Sequence, residues 1–328
     1  MTLELAGIRA VRKPWGGADL SPWSPIDAAG SPVGELWFER AETGAAAPAL
    51  LLKLLFTTEP LSVQVHPGDV FAQSMGLPNG KTEAWYILSA APDAKIALGL
   101  KRALTPVQLR AAIDDGTVSQ LVQWRQVAKD DVVFVPAGTI HAIGAGLVLA
   151  EIQQRSDTTF RLFDYGRARE LHADAAVSVA CAGPAGPQPT AKRLSGERTL
   201  LMANPHFVVE RISLPPRAQW TLRSERETWM LMLEGHARVQ APFSPTRGAF
   251  DLDAGQAIFL EADCAAIAAG DDGMTALVAY VGPDPQRVLL EHSGERRDVP
   301  GGDQAAGGRL QSSSGRPNAS LTATEAAS

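Results

Sequence analysis

The sequence predicts a mainly β protein, built from many short strands with one small helical insertion. Two observations carry this expectation. The 328 residues include 23 prolines and 30 glycines, and these fall between short apolar runs. Turn residues at that density suit strands joined by turns and would break long helices. Many of the runs are also β-branched or alternate apolar with polar side chains, the pattern of a strand with one buried face. With 45% hydrophobic and 20% charged residues, the chain has enough apolar material for one large or two ordinary domains.

In the first half, strands are expected at residues 50–56, 62–65, 83–88, 95–98, 132–135 and 147–152. One region departs from this pattern. Thr105-Pro106 reads as an N-cap with proline at the first helical position, Leu109, Ala112 and Ile113 follow at helical spacing, and Gly116 is a stop. A second short helix is expected over Val118–Trp124, so the insertion lies near residues 104–125. Residues 182–194, rich in Pro and Gly, read as a linker. Strands resume at 207–212, 227–233, 237–239, 257–260 and 276–281. The stretch Met230–Gly235, followed by Leu252–Ala257, resembles two turns of a jelly-roll barrel. The expected organisation is therefore a domain over 1–185 carrying the insertion, a second barrel over 195–293, and a tail over 294–328. The tail has no aromatic residue. It cannot bury enough apolar surface to offset its ordering entropy, and disorder is expected there.

Composition also excludes partners. A net charge of −6 argues against a broad nucleic-acid-binding surface. The N-terminus lacks a basic start followed by an apolar stretch, and no segment approaches the roughly 20 apolar residues of a membrane span. The expectation is a cytoplasmic protein without membrane contact, with Cys181 and Cys264 as reduced thiols. Oligomeric state is not readable.

Three segments carry chemistry: Leu61–Pro67, Lys81-Thr82-Glu83, and Val135–His141. They offer Gln64, His66, Glu83 and His141 as a metal set of one amide oxygen, two imidazoles and one carboxylate. Gln64 and His66 alternate along a strand and project from one face, as do Lys81 and Glu83. Mixed nitrogen and oxygen ligands suit a divalent cation with an open position, whereas a closed structural zinc would more often use thiolates. A lone histidine would by default be a hydrogen-bonded core residue, and the three companions tip His141 toward metal. His172 and His292 lack such companions and are expected at the surface. Glu151 follows the apolar run Leu147–Ala150 and is expected to face inward, where a carboxylate needs a partner or a function. Trp85 shares a face with Glu83. Taken alone, Arg161 would by default form an ion pair with Asp157 or Asp164.

Pro136–His141 matches the second metal motif of the cupin superfamily, in which a glycine turn delivers a histidine into a barrel. Leu61–Pro67, Gly80–Trp85, Val135–Gly144 and Glu151–Tyr165 together resemble the type I mannose-6-phosphate isomerases in their compact bacterial form. Lys13–Gly17 and Gly34–Trp37 resemble that family's N-terminal signatures. The likeness is specific from about residue 8 to about 185, general from 195 to 290, and absent in the tail. It implies two cupin-type jelly-roll barrels, with metal in the first alone. It implies one zinc, or another divalent metal, on Gln64, His66, Glu83 and His141, and a catalytic arginine at Arg161. Glu151 and Asp157 would lie near the reacting carbons, with Glu151 the preferred acid/base, and Ser62 and Lys81 beside a small phosphosugar. The implied reaction interconverts mannose 6-phosphate and fructose 6-phosphate through a cis-enediol. Ile143 stands where the larger eukaryotic members carry an aromatic residue, and most of their helical domain is missing, so the phosphate pocket stays unspecified. The alternatives are another metal-dependent cupin enzyme, an oxygenase or a different sugar isomerase, or a non-catalytic phosphosugar sensor. An oxygenase would more often hold iron mainly by histidines, and a sensor would be expected to lose the arginine or a ligand.

Overall fold

The computed structural model describes residues 2–293, apart from 27, 29, 43 and 243–247. The chain is mainly β, as expected, and its named strands pair in antiparallel fashion within three sheets. A six-stranded sheet runs in the order Gly7–Gly17, Val33–Glu39, Leu50–Thr57, Leu147–Gln154, Glu83–Ala90, Val132–Val135. A five-stranded sheet runs Phe160–Phe163, Val63–Val65, His141–Ile143, Lys95–Leu100, Val122–Gln126. The inner faces of these two sheets share a core that joins Leu55, Trp85, Ile87 and Leu149 to Leu61, Ile96, Leu98 and Ile143. The remaining strands form a ten-stranded sheet among the described residues, mostly from the second half of the chain.

The strand Leu50–Thr57 shows why the six-stranded sheet is so apolar. Every one of its residues is buried. Leu50, Leu52, Leu54 and Phe56 point one way, into a core with Phe207, Trp229 and Phe259 from the second half. Leu55 points the other way, into the core between the first two sheets. A strand covered on both faces has no solvent side to alternate with, so it reads as a continuous apolar run. Lys53 interrupts that run and shares its direction with Leu55.

The structure departs from expectation in several places. The helix Pro106–Asp114 has the capping box that Thr105 and Gln108 suggest: the Gln108 N–H reaches Thr105 Oγ1 at 3.3 Å, and the Thr105 N–H reaches Gln108 Oε1 at 3.0 Å. The next helix, however, spans Val118–Leu121 alone, because Val122–Gln126 turns into an edge strand on Lys95–Leu100. The strand Thr228–Gln240 does not end at Gly235. It passes through that glycine, whose φ is +78°, with register shifts on either side. A Cβ there would meet the Gly273 carbonyl at 2.2 Å, so glycine lets a long strand bulge without breaking. The strand Thr2–Leu5 pairs with Ala257–Glu261, so the start of the chain enters the sheet of the second half. Short length hid Thr2–Leu5 from the sequence pattern, and mixed polarity hid the eleven-residue strand Gly7–Gly17. Cys181 and Cys264 are both free. No helix among the described residues is long and apolar enough to cross a membrane. The tail expected to be disordered lies outside the described residues.

Leu54 is fully buried on the face turned away from Lys53. Leu54→Ala is expected to lower unfolding stability by about 2–5 kcal/mol in chemical denaturation while leaving metal content unchanged. A loss under about 1 kcal/mol would contradict the two-sided burial of this strand.

Candidate metal and substrate site

The five-stranded sheet brings three candidate residues into one row. Gln64 stands opposite His141 on one neighbour and opposite Arg161 on the other. Residues directly opposite across antiparallel strands point to the same face. His66 lies two residues beyond Gln64, and the turn at Pro136–Thr139 docks on it, with the Gly138 N–H donating to the His66 carbonyl at 2.8 Å. That turn needs the glycine, because Gly138 has φ +85°. Glu83 comes from the facing sheet, paired with Gln153 and Val135.

His66, Glu83 and His141 are all buried, with their ligand atoms within 4.8 Å of one another. Each imidazole has its Nδ1 at a main-chain carbonyl: His66 on Thr158 at 2.9 Å, His141 on Thr139 at 2.8 Å. Carbonyls accept only, so each Nδ1 carries the proton and each Nε2 keeps a lone pair. Those Nε2 atoms lie 3.4 Å (His66) and 3.3 Å (His141) from Glu83, and the Lys81 ammonium also reaches His66 Nε2, at 3.2 Å. Burial pushes both rings down in pKa, His66 to about 3 with Lys81 adding to the effect, so both are neutral. Burial alone would raise Glu83, but the Lys81 ammonium holds it well below the ordinary carboxylate range. Lys81 approaches one Glu83 oxygen at 2.9 Å, yet neither oxygen receives a well-directed hydrogen bond. Buried lone pairs converging on an anion repel one another unless a cation sits among them. The donor set therefore fits a divalent metal.

Gln64 lies beside this cluster, its amide nitrogen 3.2 Å from His141 Nε2 and its amide oxygen accepting from the Ser62 hydroxyl at 3.0 Å. Turning the amide by 180° exchanges the two atoms, bringing the oxygen to the cluster while the nitrogen donates to Ser62.

The cluster opens into a pocket lined in part by Ser62, Gln64, Lys81, Glu151, Asp157 and Arg161. On the facing sheet Lys53, Glu151 and Trp85 stand in register. Lys53 Nζ is 3.3 Å from Glu151, Lys81 Nζ is 3.9 Å away, and the Trp85 indole N–H donates to Glu151 at 3.3 Å. Burial raises the Glu151 carboxyl to about 7 against the opposing pull of Lys81 and Lys53, with Glu83 adding to the rise. For Lys81 burial works the other way, but Glu151 and Glu83 outweigh it and hold the ammonium charged. Asp157 is at the rim, 62% exposed and 3.8 Å from Lys53. Arg161 forms no ion pair among the described residues, and its buried Nε has no partner. Asp164 is taken by Arg169 at 2.5 Å and Arg167 at 3.2 Å, so the default pairings of Arg161 are not made.

Sequence reading missed several residues of this pocket, namely Lys13, Glu35, Lys53 and Arg169. Lys53 carried a usable signal, a single lysine inside a run of leucines. It is 2% exposed, and Glu35 lies 3.7 Å from it. His172 is not the surface residue expected. It is half-buried, and its Nδ1 accepts from the Arg161 main-chain N–H at 3.2 Å.

No family model matches the chain. It is 38% identical over 192 residues to a mannose-6-phosphate isomerase of Streptococcus mutans, covering 55% of this chain and 60% of that protein. It is 42% identical over 137 residues to a mannose-6-phosphate isomerase of Bacillus subtilis, covering 40% and 43%. The matches thus span 60% or less of these relatives' length. Among solved structures, the mannose 6-phosphate isomerase of Bacillus subtilis superposes with a TM-score of 0.74 at 23% identity, over 85% of this chain and all of that one. A phosphomannose isomerase variant from Salmonella typhimurium gives 0.67 at 15% identity, over 86% and 100%. In sequence over 192 and 137 residues, and in fold over 85% of its length, the chain is similar to mannose-6-phosphate isomerases.

Proposed function

We propose that this protein is a zinc-dependent aldose–ketose isomerase that interconverts mannose 6-phosphate and fructose 6-phosphate. The observation that carries the reading is the junction of a buried cation-demanding cluster with a pocket holding Glu151 and an unpaired Arg161. The sequence relatives named for this activity support it. On this reading the first half of the chain holds the metal and the second half is a barrel without one.

Gln64, His66, Glu83 and His141 would hold the zinc, which when bound supplies Lewis acidity toward substrate oxygen. The rest falls to the chain's own side chains. Isomerisation removes a proton from carbon 2 of the open-chain aldose and delivers one to carbon 1, while a hydroxyl proton moves between the two oxygens. Glu151, with its carboxyl raised into the neutral range, suits the carbon proton transfer. Lys53 and Lys81 fix that carboxyl in place. Arg161 can set its charge against the developing enediolate or the phosphate, because no internal carboxylate occupies it. Ser62, Lys81 and Asp157, which line the pocket, would bind the sugar.

A coupled assay for fructose 6-phosphate, run on metal-analysed protein before and after chelation, tests the reading. Zinc near one per chain and activity lost on chelation are expected. His141→Ala should lose the bound zinc and the activity while keeping a folded circular dichroism spectrum. Full metal occupancy in that variant would sink the ligand assignment.

Arg161→Lys keeps charge but loses the planar fork, and turnover should fall by about 10²-fold or more, with metal content and melting temperature little changed. Normal turnover by Arg161→Ala would make the arginine structural. As a base, Glu151 must be ionised, so turnover should fall as pH drops through about 7. The acidic limb should vanish, along with most activity, in Glu151→Gln. An unchanged profile would exclude Glu151 from proton transfer.

A further inference from the structure

We propose that His172 is a positioning residue for Arg161, fixing the main chain from which the unpaired guanidinium projects. The inference rests on the role given to Arg161 above. Among the described residues, Phe160–Phe163 is the outer strand of its sheet and pairs only with Val63–Val65. An edge strand leaves alternate N–H and C=O groups without ladder partners. At Arg161 both outward groups are satisfied by one residue: the N–H donates to His172 Nδ1 at 3.2 Å, and the carbonyl accepts from the His172 N–H at 2.9 Å. Because these groups face outward, Arg161 and Gln64 form a non-hydrogen-bonded pair, the closer of the two cross-strand spacings. The grip therefore sets how near the arginine lies to the metal-cluster row.

His172 is itself held. Its carbonyl accepts from the Ala176 N–H at 2.8 Å in the first turn of the helix Ala173–Val179, and Ala176 is fully buried. Its ring packs on Phe160 with 6.1 Å between ring centroids. Between His172 and the strand, Asp164 grips Arg169, which lines the pocket along with Arg161. A guanidinium with an internal carboxylate partner would be steered by that partner. Arg161 has none among the described residues, so its place depends on its Cα and on packing. Misplacement of a charge-stabilising group by about 1 Å can cost up to about 10²-fold in rate.

The test is a double-mutant cycle on the metal-loaded full chain, with kcat, KM, metal content and melting temperature read for each variant. His172→Leu keeps bulk but removes the acceptor. His172→Asn keeps an acceptor at a similar distance from the main chain. In the wild-type background the leucine variant should lose about tenfold in kcat, with KM and metal content within about twofold. The asparagine variant should stay within about twofold of the parent. In the Arg161→Ala background His172→Leu should cost nothing further, because the group it positions is gone.

Three outcomes would overturn the proposal: an unchanged kcat in His172→Leu, an equal loss in both backgrounds, or an asparagine variant as poor as the leucine one. Failure of His172→Leu to fold would also count against it, as evidence of a general structural role. Full turnover by Arg161→Ala alone would remove the underlying reading, and that single variant identifies this case.

Discussion

Everything at this site depends on one uncomfortable contact. A buried carboxylate, Glu83, faces the lone pairs of two neutral imidazoles at 3.3 and 3.4 Å. The protein has directed both Nδ1 protons away, onto the carbonyls of Thr139 and Thr158, so the rings cannot relieve the contact by donating to it. Lys81 meets both Glu83, at 2.9 Å, and His66 Nε2, at 3.2 Å, yet the Glu83 oxygens still lack a directed hydrogen bond, and a metal cation among the three side chains would satisfy all of them. Second-sphere carbonyls of this kind fix ring orientation before any metal arrives, which favours binding without reorganisation.

That contact is possible because the surrounding strands are buried. The strand Leu50–Thr57 is covered on both faces, one by the core of the second half and one by the core beneath the site. It delivers Lys53 to Glu151 at the middle of the sheet, where water would otherwise solvate both charges. In a low-dielectric setting each charge is held by its neighbours. The alternating signs of Glu83, Lys81, Glu151 and Lys53 form such a chain, with 2.9, 3.9 and 3.3 Å steps. Removing any one member leaves a buried charge without compensation, so these residues support one another as much as they serve chemistry.

Much of this was readable from the amino acids, for particular reasons. Strands with regular patterns, such as Val132–Val135, and the capped helix after Thr105 follow from local rules and lie where those rules place them. Glycine-linked motifs marked Gln64, His66, Glu83 and His141, which the fold brings to one place. Local rules failed where long-range pairing decides. Val122–Gln126 has helix-compatible composition but becomes an edge strand because a partner is available, and Gly235 looks like a stop but serves as a bulge. His172 was misread because its partner is a main-chain group, which no side-chain pattern reveals. Lys53 was legible in principle, since a lone lysine in an all-apolar strand needs a buried counter-charge.

The central claim is that a metal-loaded cluster and the adjoining carboxylate together move a proton between neighbouring carbons of a phosphosugar. Proton NMR of the zinc-loaded protein with mannose 6-phosphate in deuterium oxide tests it most directly. The account predicts fructose 6-phosphate with solvent deuterium entering at carbon 1, and no such product after chelation. Absence of both conversion and label incorporation by protein shown to carry its zinc, or conversion indifferent to chelation, would contradict it.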